Sequence, residues 1–420
     1  MRNTIAKVYL AGATALAILM GWSPAVAQTT EIVYWDFIQP GDGSPRGNAL
    51  QKNLKAFEAQ NPNIKVKVEV LAPSMIDPNL IQGSAAGRSP DVVRVDTHYL
   101  PRHVKAGSVQ PLDKFVKPDD KNDWLLPWDG SLFDGKKYAL PYEHRMHTLM
   151  YRKDLLAKAN VAVPTTWKEI CEAGGKLSTA SVMGYAMGLS QSDSANALLE
   201  LTENVVLDAG SKLFDDSGKA IFNNDAGLKF FQLVSDLATT CKATGPTVVE
   251  FTYNALGEGL ASGTIAMTQQ GTHRYLAIAK QGAGENLGWA PPPSFVAGKP
   301  APVHVLGWTL AMGSKAKQPE AAWKFMQFMT SPAAQLTLAE GGELPVRKSV
   351  YEDAFFKSPS NKFMADWSEY LAKQGVVAKY PENWFNFGQI LAQSMQGMII
   401  NKTPPKDVLK SVVDSYNAAN

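Results

Sequence analysis

The chain has 420 residues, 45% hydrophobic and 19% charged. That is too long for one ordinary core, suits two or three domains, and excludes a disordered chain. The formal net charge of +2 comes from Arg2 and Lys7, because the first 27 residues hold no acid. Without those two bases, 39 basic residues meet 39 acidic ones. A neutral chain gives no electrostatic case for binding nucleic acid or an acidic membrane.

Residues 1–27 read as a secretory signal peptide cut after Ala27. Arg2 and Lys7 form the positive start, "VYLAGATALAILMGW" the apolar run and "SPAVA" the small-residue site. The run is shorter than the roughly 20 residues that span a bilayer, and no later segment reads as transmembrane. No cysteine sits near the cut, so a lipid-anchored end is not expected. Cys171 and Cys241 are the two cysteines. In an oxidising compartment they form either a disulfide or two buried thiols on helices, and the sequence leaves both open. They have no nearby histidine and make no metal site; no cofactor is expected.

"EIVYWDF" (31–37) is a candidate first strand. In "GNALQKNLKAFEAQNP", Leu50, Leu54 and Phe57 recur at helical spacing, and Asn61-Pro62 ends the helix. "IKVKVEVLAP" (64–73) alternates as a half-exposed strand, "NLIQGSAAGR" is a short helix, and "DVVRVD" is a third strand. "HYLPRHVKAGSVQPLDKF" supplies a short helix, a glycine turn and a connector. This β–α–β–α–β rhythm predicts a mainly parallel sheet with helices on both faces.

"GKKYALPYEHRMHTLMYRKDLL" (135–156) reads as a turn, an extended run and a helix. The run exceeds the usual strand of about 5–6 residues, as expected of a segment passing between lobes. "VPTTWKEICEAGGKL" opens a helix capped by Thr165 or Thr166. The region 180–300 repeats the α/β pattern less regularly. "FTYNALGEGLASGTIAMTQQGTHRY" gives a helix, a glycine turn, a buried strand and a polar loop, and "GWAPPPSFVAGKPAP" (288–302) is loop. "VHVLGWTLAMG" is a second extended run. "QPEAAWKFMQFMTSPAAQLTLAEGG" is a helix broken at Ser331-Pro332. From Asp353 on, the chain is mostly helical.

Eight stretches in this order resemble the extracellular solute-binding proteins of family 1, the maltose-binding-protein-like carbohydrate receptors of ABC importers. They are "FEAQNPNIKVKVEV", "AAGRSPDVVRVD", "AGSVQPLDKF", "GKKYALPY", "LMYRKDLLAKANVAVPTTWKEI", "GLASGTIAMTQQG", "GWTLAMGSKAKQPEAAWKFMQFMTSP" and "GGELPVRKSVY". The resemblance implies an α/β fold of the periplasmic binding protein type II, two α/β lobes joined by a multi-segment hinge. Lobe 1 would be 28–140 with 305–331, and lobe 2 would be 141–304 with 332–420. Crossings are expected near 140–145, 300–305 and 331–336. It further implies a periplasmic, monomeric, non-enzymatic receptor that carries a sugar or oligosaccharide to the transmembrane subunits of an ABC permease.

A sugar presents hydroxyls at its edges and apolar C–H faces. Its site needs carboxylates, amides and arginines for the first and aromatic rings for the second. Ligands of open α/β sheets bind at the carboxyl ends of strands. Trp35, Asp36 and Gln39 follow the first strand; Trp35 could instead be a core residue and Asp36 a cap. Asp96 and His98 follow the third strand, where Asp91 reads as a turn or cap residue and Arg94 as a support. Glu143 and Arg145 line the first extended run or form a hinge salt bridge. His144 and His147 are three apart on that run, point to opposite faces and do not chelate together. Gln270 follows the buried strand, where Thr272-His273 replaces the aromatic residue usual in the family. Gly307 and Trp308 suit stacking, and Trp384 would close the site from the other lobe. Glu343 and Arg347 complete the set, although Arg347 could simply pin the hinge helix.

Arg94, Arg145, Arg347 and the six histidines keep a sugar acid or phosphorylated polyol open as ligand. A secreted carbohydrate-active enzyme is the reading from another class. It needs two carboxylates about 5–9.5 Å apart, for which Asp36 and Glu343 could be imagined. "GLSQS" lacks the second glycine of a nucleophile elbow, and "GEGLASG" misses both phosphate-loop and dinucleotide spacings.

Overall fold

The computed structural model describes residues 29–126, 128, 132–192 and 196–419. The predicted signal peptide, 1–27, lies outside them. The strands are β1 Thr30–Asp36, β2 Ile64–Val70, β3 Val92–Asp96, β4 Leu132–Phe133, β5 Lys136–Lys137, β6 Ala139–Arg145, β7 His147–Arg152, β8 Met183–Ala186, β9 Ile265–Gly271, β10 Leu287–Ala290, β11 Val303–His304, β12 Leu306–Met312 and β13 Gly375–Val376.

One sheet has the order β2-β1-β3-β12-β6 and another β10-β7-β9-β8. In the first, β1 runs parallel to β2 and β3, while β12 is antiparallel to both neighbours. In the second, β7 is antiparallel to both neighbours and β8 runs parallel to β9. Each sheet is therefore mainly parallel with one reversed strand, as the sequence rhythm predicts for the first.

Local signals place the elements. Ser44 caps the helix Pro45–Gln60, its hydroxyl accepting from the Gly47 amide at 3.0 Å, with Pro45 in the first turn. Leu50, Leu54 and Phe57 then pack on Ile32 and Tyr34 of β1. Thr166 caps the helix Trp167–Leu177 in a reciprocal box with Glu169. Asp91 joins three segments: one oxygen accepts from the Val33 amide, the other from the amides of Lys317 and Gln318. Cys171 and Cys241 form a disulfide with a Cα–Cα distance of 5.2 Å. It ties Trp167–Leu177 to the chain just past the helix Asp225–Ala238.

The hinge differs in detail from the expectation. The long run 139–152 is two strands end to end, β6 in the first sheet and β7 in the second, with Met146 alone between them. The passage sits at Met146 rather than across 140–145, so a boundary at 140/141 falls inside β6. Backbone that stays extended while changing sheets shows no break in its pattern. Val305 likewise separates β11, which pairs with β13, from β12. Ser331-Pro332 is a helix break within the first lobe. The helix Pro332–Glu340 packs on Pro45–Gln60, where the Asn53 amide donates to the Ala334 carbonyl at 3.0 Å. The chain therefore does not cross at 331–336. Behind the hinge, Met146, Val303, Val305 and Leu344 pack with Trp367 and Leu371 of the helix Lys362–Gln374.

Candidate functional site

β1, β3 and β6 end at Asp36, Asp96 and Arg145. β12 is reversed, so its start lies at the same edge, with Trp308 opposite Asp96 and Glu143. In the second sheet β9 ends at Gly271, opposite His147 at the start of reversed β7. Because Met146 joins β6 to β7, these two edges face each other. Two linked charge clusters lie between them.

The first centres on Arg94, which is 1% exposed. Its Nη2 lies 3.0 Å from Glu143 and 2.9 Å from Glu343, and its Nη1 lies 3.5 Å from Asp36. Arg46 pairs with Glu343 and stands 3.7 Å from Glu143. The Arg94 guanidinium packs on Phe37, Tyr142 and Trp308, 4.5, 4.9 and 5.5 Å from the ring centres. Asp36 accepts from the Tyr34 hydroxyl and the amides of Phe37 and Ile38. Burial, then the neighbouring Glu343 charge, pushes the Glu143 carboxyl up to about 8. Burial opposes charge on Glu343 too, but Arg46 and Arg94 hold it well below the usual carboxylate range.

The second cluster spans the lobes. Arg145 Nη2 lies 3.1 Å from Asp96 and 3.0 Å from Glu200 on the helix Asn196–Asp208. Arg145 also stands 4.0 Å from Glu143, which links the clusters. His147 pairs with Glu200. His98 Nδ1 lies 2.6 Å from Asp96 and its Nε2 3.7 Å from Glu203. Its ring stacks on Trp384 at 5.0 Å. Burial works against charge on Glu200, but His147 and Arg145 hold it down at about 2. Burial also works against charge on His98, yet Asp96 and Glu203 raise it to about 10.

Of the sequence-predicted residues, Asp36, Asp96, His98, Glu143, Arg145 and Glu343 come together here, with Trp308 and Trp384 beside them. Gln270 lies on β9, its amide donating to the Tyr253 carbonyl while its oxygen is buried without a hydrogen-bond partner. Gly307 has φ +148°, and a Cβ there would come 2.1 Å from the Glu143 carbonyl oxygen. β12 can run against β6 at this point only with glycine. Three residues lie elsewhere. Trp35 is on the opposite face of β1 from Asp36 and donates to Glu69 of β2 at 2.9 Å. Gln39 is exposed. Arg347 binds the carbonyls of Thr330 and Asn122 and covers the Trp124 ring at 3.7 Å. His144 and His147 have different surroundings: the first has its amide on Leu344, and burial lowers its ring to about 4.

Sequence reasoning missed Arg46, Glu200, Glu203, His304 and Tyr380, and it gave Arg94 only a supporting part. One signal was available. Glu200 and Glu203 are three apart within the apolar run "ALLELTENVV", hence on one helix face. Arg46, Arg94 and Arg145 each keep a buried Nε without a hydrogen-bond partner, as do both Glu143 oxygens and one Glu203 oxygen. Such atoms are uncommon in folded proteins. A ligand rich in hydroxyls offers both the donors and the acceptors they require.

Residues 41–336 match the family model for the bacterial extracellular solute-binding protein. A binding protein of Brucella abortus (strain 2308) is 23% identical over 376 residues, 89% of this chain and 90% of its own. YcjN of Escherichia coli K12, named as an ABC transporter periplasmic-binding protein, is 23% identical over 336 residues, 77% of this chain and 75% of its own. Among solved structures, the GacH receptor of Streptomyces glaucescens superposes with a TM-score of 0.78 at 23% identity. That match covers 93% of this chain and 98% of GacH, which was solved unliganded and with acarbose. Maltose-bound MalE3 of T. maritima gives a TM-score of 0.79 at 21% identity, covering 93% of this chain and all of that one. The fold is the MalE-like one of two α/β lobes.

Proposed function

Because the chain belongs to the bacterial extracellular solute-binding proteins, we propose that it is the periplasmic receptor of an ABC importer. It binds a neutral sugar or oligosaccharide between its lobes and delivers it to the transmembrane permease subunits. The observation that carries this reading is the convergence of buried carboxylates, guanidinium groups and aromatic rings from both lobes, where β1, β3 and β6 of the first end against the helix Asn196–Asp208 and Trp384 of the second. Ligand contacts made with both lobes at once favour the closed form. MalE3 with maltose, GacH with acarbose and a Listeria monocytogenes substrate-binding protein with cycloalternan share the fold, which supports a saccharide ligand here.

Charge decides against a sugar acid or phosphorylated polyol. Arg46, Arg94 and Arg145 already face carboxylates, and an added anion would meet Asp36, Asp96, Glu200 and Glu203 as well. An enzyme is disfavoured on two counts. Glu143 and Glu343 both turn to Arg94 Nη2, which occupies the place between them that a glycosidic bond would need. Asp77, His103 and Ser108 have the order of a nucleophile triad, with contacts of 2.7 and 2.8 Å. Ser108 is wholly buried, however, and donates to the His103 carbonyl.

The protein is exported by the signal peptide, cut after Ala27, and works as a monomer. No helix among the described residues is long and apolar enough to cross a membrane. Mass spectrometry of ligand released from the purified protein tests the assignment: a saccharide supports it, and a nucleotide or peptide would replace it.

A further inference from the structure

We propose that lobe closure is linked to a proton through His98, which acts as a latch between Asp96 of its own lobe and Glu203 of the other. His98 follows β3 and sits with Asp96 at 2.6 Å. Its other ring nitrogen faces Glu203, on the helix Asn196–Asp208, at 3.7 Å. Two rings of the second lobe enclose it, Trp384 stacked at 5.0 Å and Tyr380 at 4.2 Å. The imidazole is 5% exposed and Glu203 only 1%.

What decides the matter is the company Glu203 keeps. Its other polar neighbours are the Tyr380 hydroxyl at 3.3 Å and His304 at 3.6 Å. Burial lowers His304 and so works against a charge on its ring, and Arg145 is engaged with Asp96 and Glu200. Among the described residues, His98 is therefore the cation that answers the Glu203 charge when the lobes come together. A buried carboxylate without a cation is costly. When the lobes part, water can solvate Glu203, and His98 keeps Asp96 alone. Closing from the neutral form of His98 therefore takes up one proton.

The direction follows. The ring is held charged in the closed form, up to about 10. Stability that the closed form draws from this charge is present at low pH and is lost as pH rises toward that value. Over the interval where the open form has lost its proton and the closed form has not, the closing equilibrium falls by up to about tenfold per pH unit. The nearby pair Lys105–Glu382, 2.8 Å apart but exposed, also spans the lobes and is screened by salt; the buried latch is screened much less.

The test is small-angle scattering of the unliganded protein from about pH 6 to about pH 10, at low and high salt. The wild type is expected to gain radius of gyration as pH rises from neutrality, with little response to salt. His98→Gln should be expanded throughout, without the pH step. Glu203→Gln removes the buried charge, so it should stay compact across the range, and it decides the matter even if His98→Gln folds poorly. A flat wild-type profile, or a step that survives in Glu203→Gln, overturns the latch. The proposal presumes that the lobes open, as the receptor reading requires. If saccharide binding is intact while the scattering profile is flat, only the latch falls.

Discussion

Arg145, the last residue of β6 in the first lobe, meets Glu200 of the second lobe at 3.0 Å, one residue from the pivot at Met146. The same guanidinium group holds Asp96 at 3.1 Å. One side chain thus neutralises a carboxylate from each lobe, and only closure brings all three together. Replacing Arg145 by alanine leaves buried Asp96 to His98 alone and buried Glu200 to His147 alone in the closed form, while in the open form water can solvate them. Losing one partner of a buried pair costs about 3–5 kcal/mol. Titration calorimetry should show a loss of ligand affinity of roughly a hundredfold or more. An unchanged affinity would remove Arg145 from the closing mechanism.

Glu143 gives a pH test with a definite sign. Its pKa in the fold is raised to about 8, against about 4.3 for an ordinary glutamate. The contribution to stability is therefore full below the ordinary value and is lost as pH rises through about 8. Glu143→Gln mimics the protonated side chain. Its melting temperature relative to wild type should climb between pH ~4 and ~8 and then level off. A difference that stays constant with pH would show that Glu143 is ionised in the fold. Glu200, lowered to about 2, acts at the other end: its stabilisation is present above the ordinary glutamate value and fades as pH falls toward 2.

Gly307→Ala should disrupt the site through the backbone. The new Cβ would meet the Glu143 carbonyl, and φ is +148°. We expect the β12–β6 pairing to shift, with lower stability and weaker ligand binding together. A variant with wild-type melting and binding would show that the strands can part here at little cost.

The disulfide separates stability from binding. Cys171 and Cys241 are 70 residues apart, and in the chain-entropy account such a loop is worth about 4 kcal/mol. The double serine variant should lose stability of that order in a denaturant titration. Ligand affinity under folding conditions should hold, because neither residue belongs to the charge clusters. Weaker binding in a fully folded variant would tie the bridge to the cleft.

The first sheet and its carboxyl edge were legible because β strands announce their faces. In "DVVRVD" the period of two puts Arg94 and Asp96 together, and Asp96 does emerge toward the cleft. The same period argues against the pairing of Trp35 with Asp36 as joint ligands, and Trp35 indeed packs on the other face. Glu200 and Glu203 were hidden because a helix's inward face is defined by what it packs against, here partly the other lobe. Arg46 falls just before the stretch "GNALQKNLKAFEAQNP" that the helical spacing marked out, although the helix begins at Pro45. The position of the hinge was blurred for a simpler reason: β6 and β7 are both extended, and only their hydrogen-bond partners differ.

Trp308 and Arg347 offer a contrast within the predicted set. Trp308 lies beside Arg94 in the cleft, whereas Arg347 covers Trp124 and pins Thr330 and Asn122. Trp308→Ala should weaken saccharide binding with the fold retained, and Arg347→Ala should lower the melting temperature with binding retained. Fluorescence titration alongside thermal melts checks both; the reverse pattern would move the site.

The most direct test of the receptor itself is a thermal-shift screen of the chain from Gln28 onward with mono- and oligosaccharides, polyols, sugar acids, nucleotides and metal ions. A ligand that binds only the folded state raises its melting temperature, by an amount set by concentration over affinity. The account predicts that at least one neutral saccharide does so. It is contradicted if no saccharide shifts the melt while a nucleotide or a metal ion does.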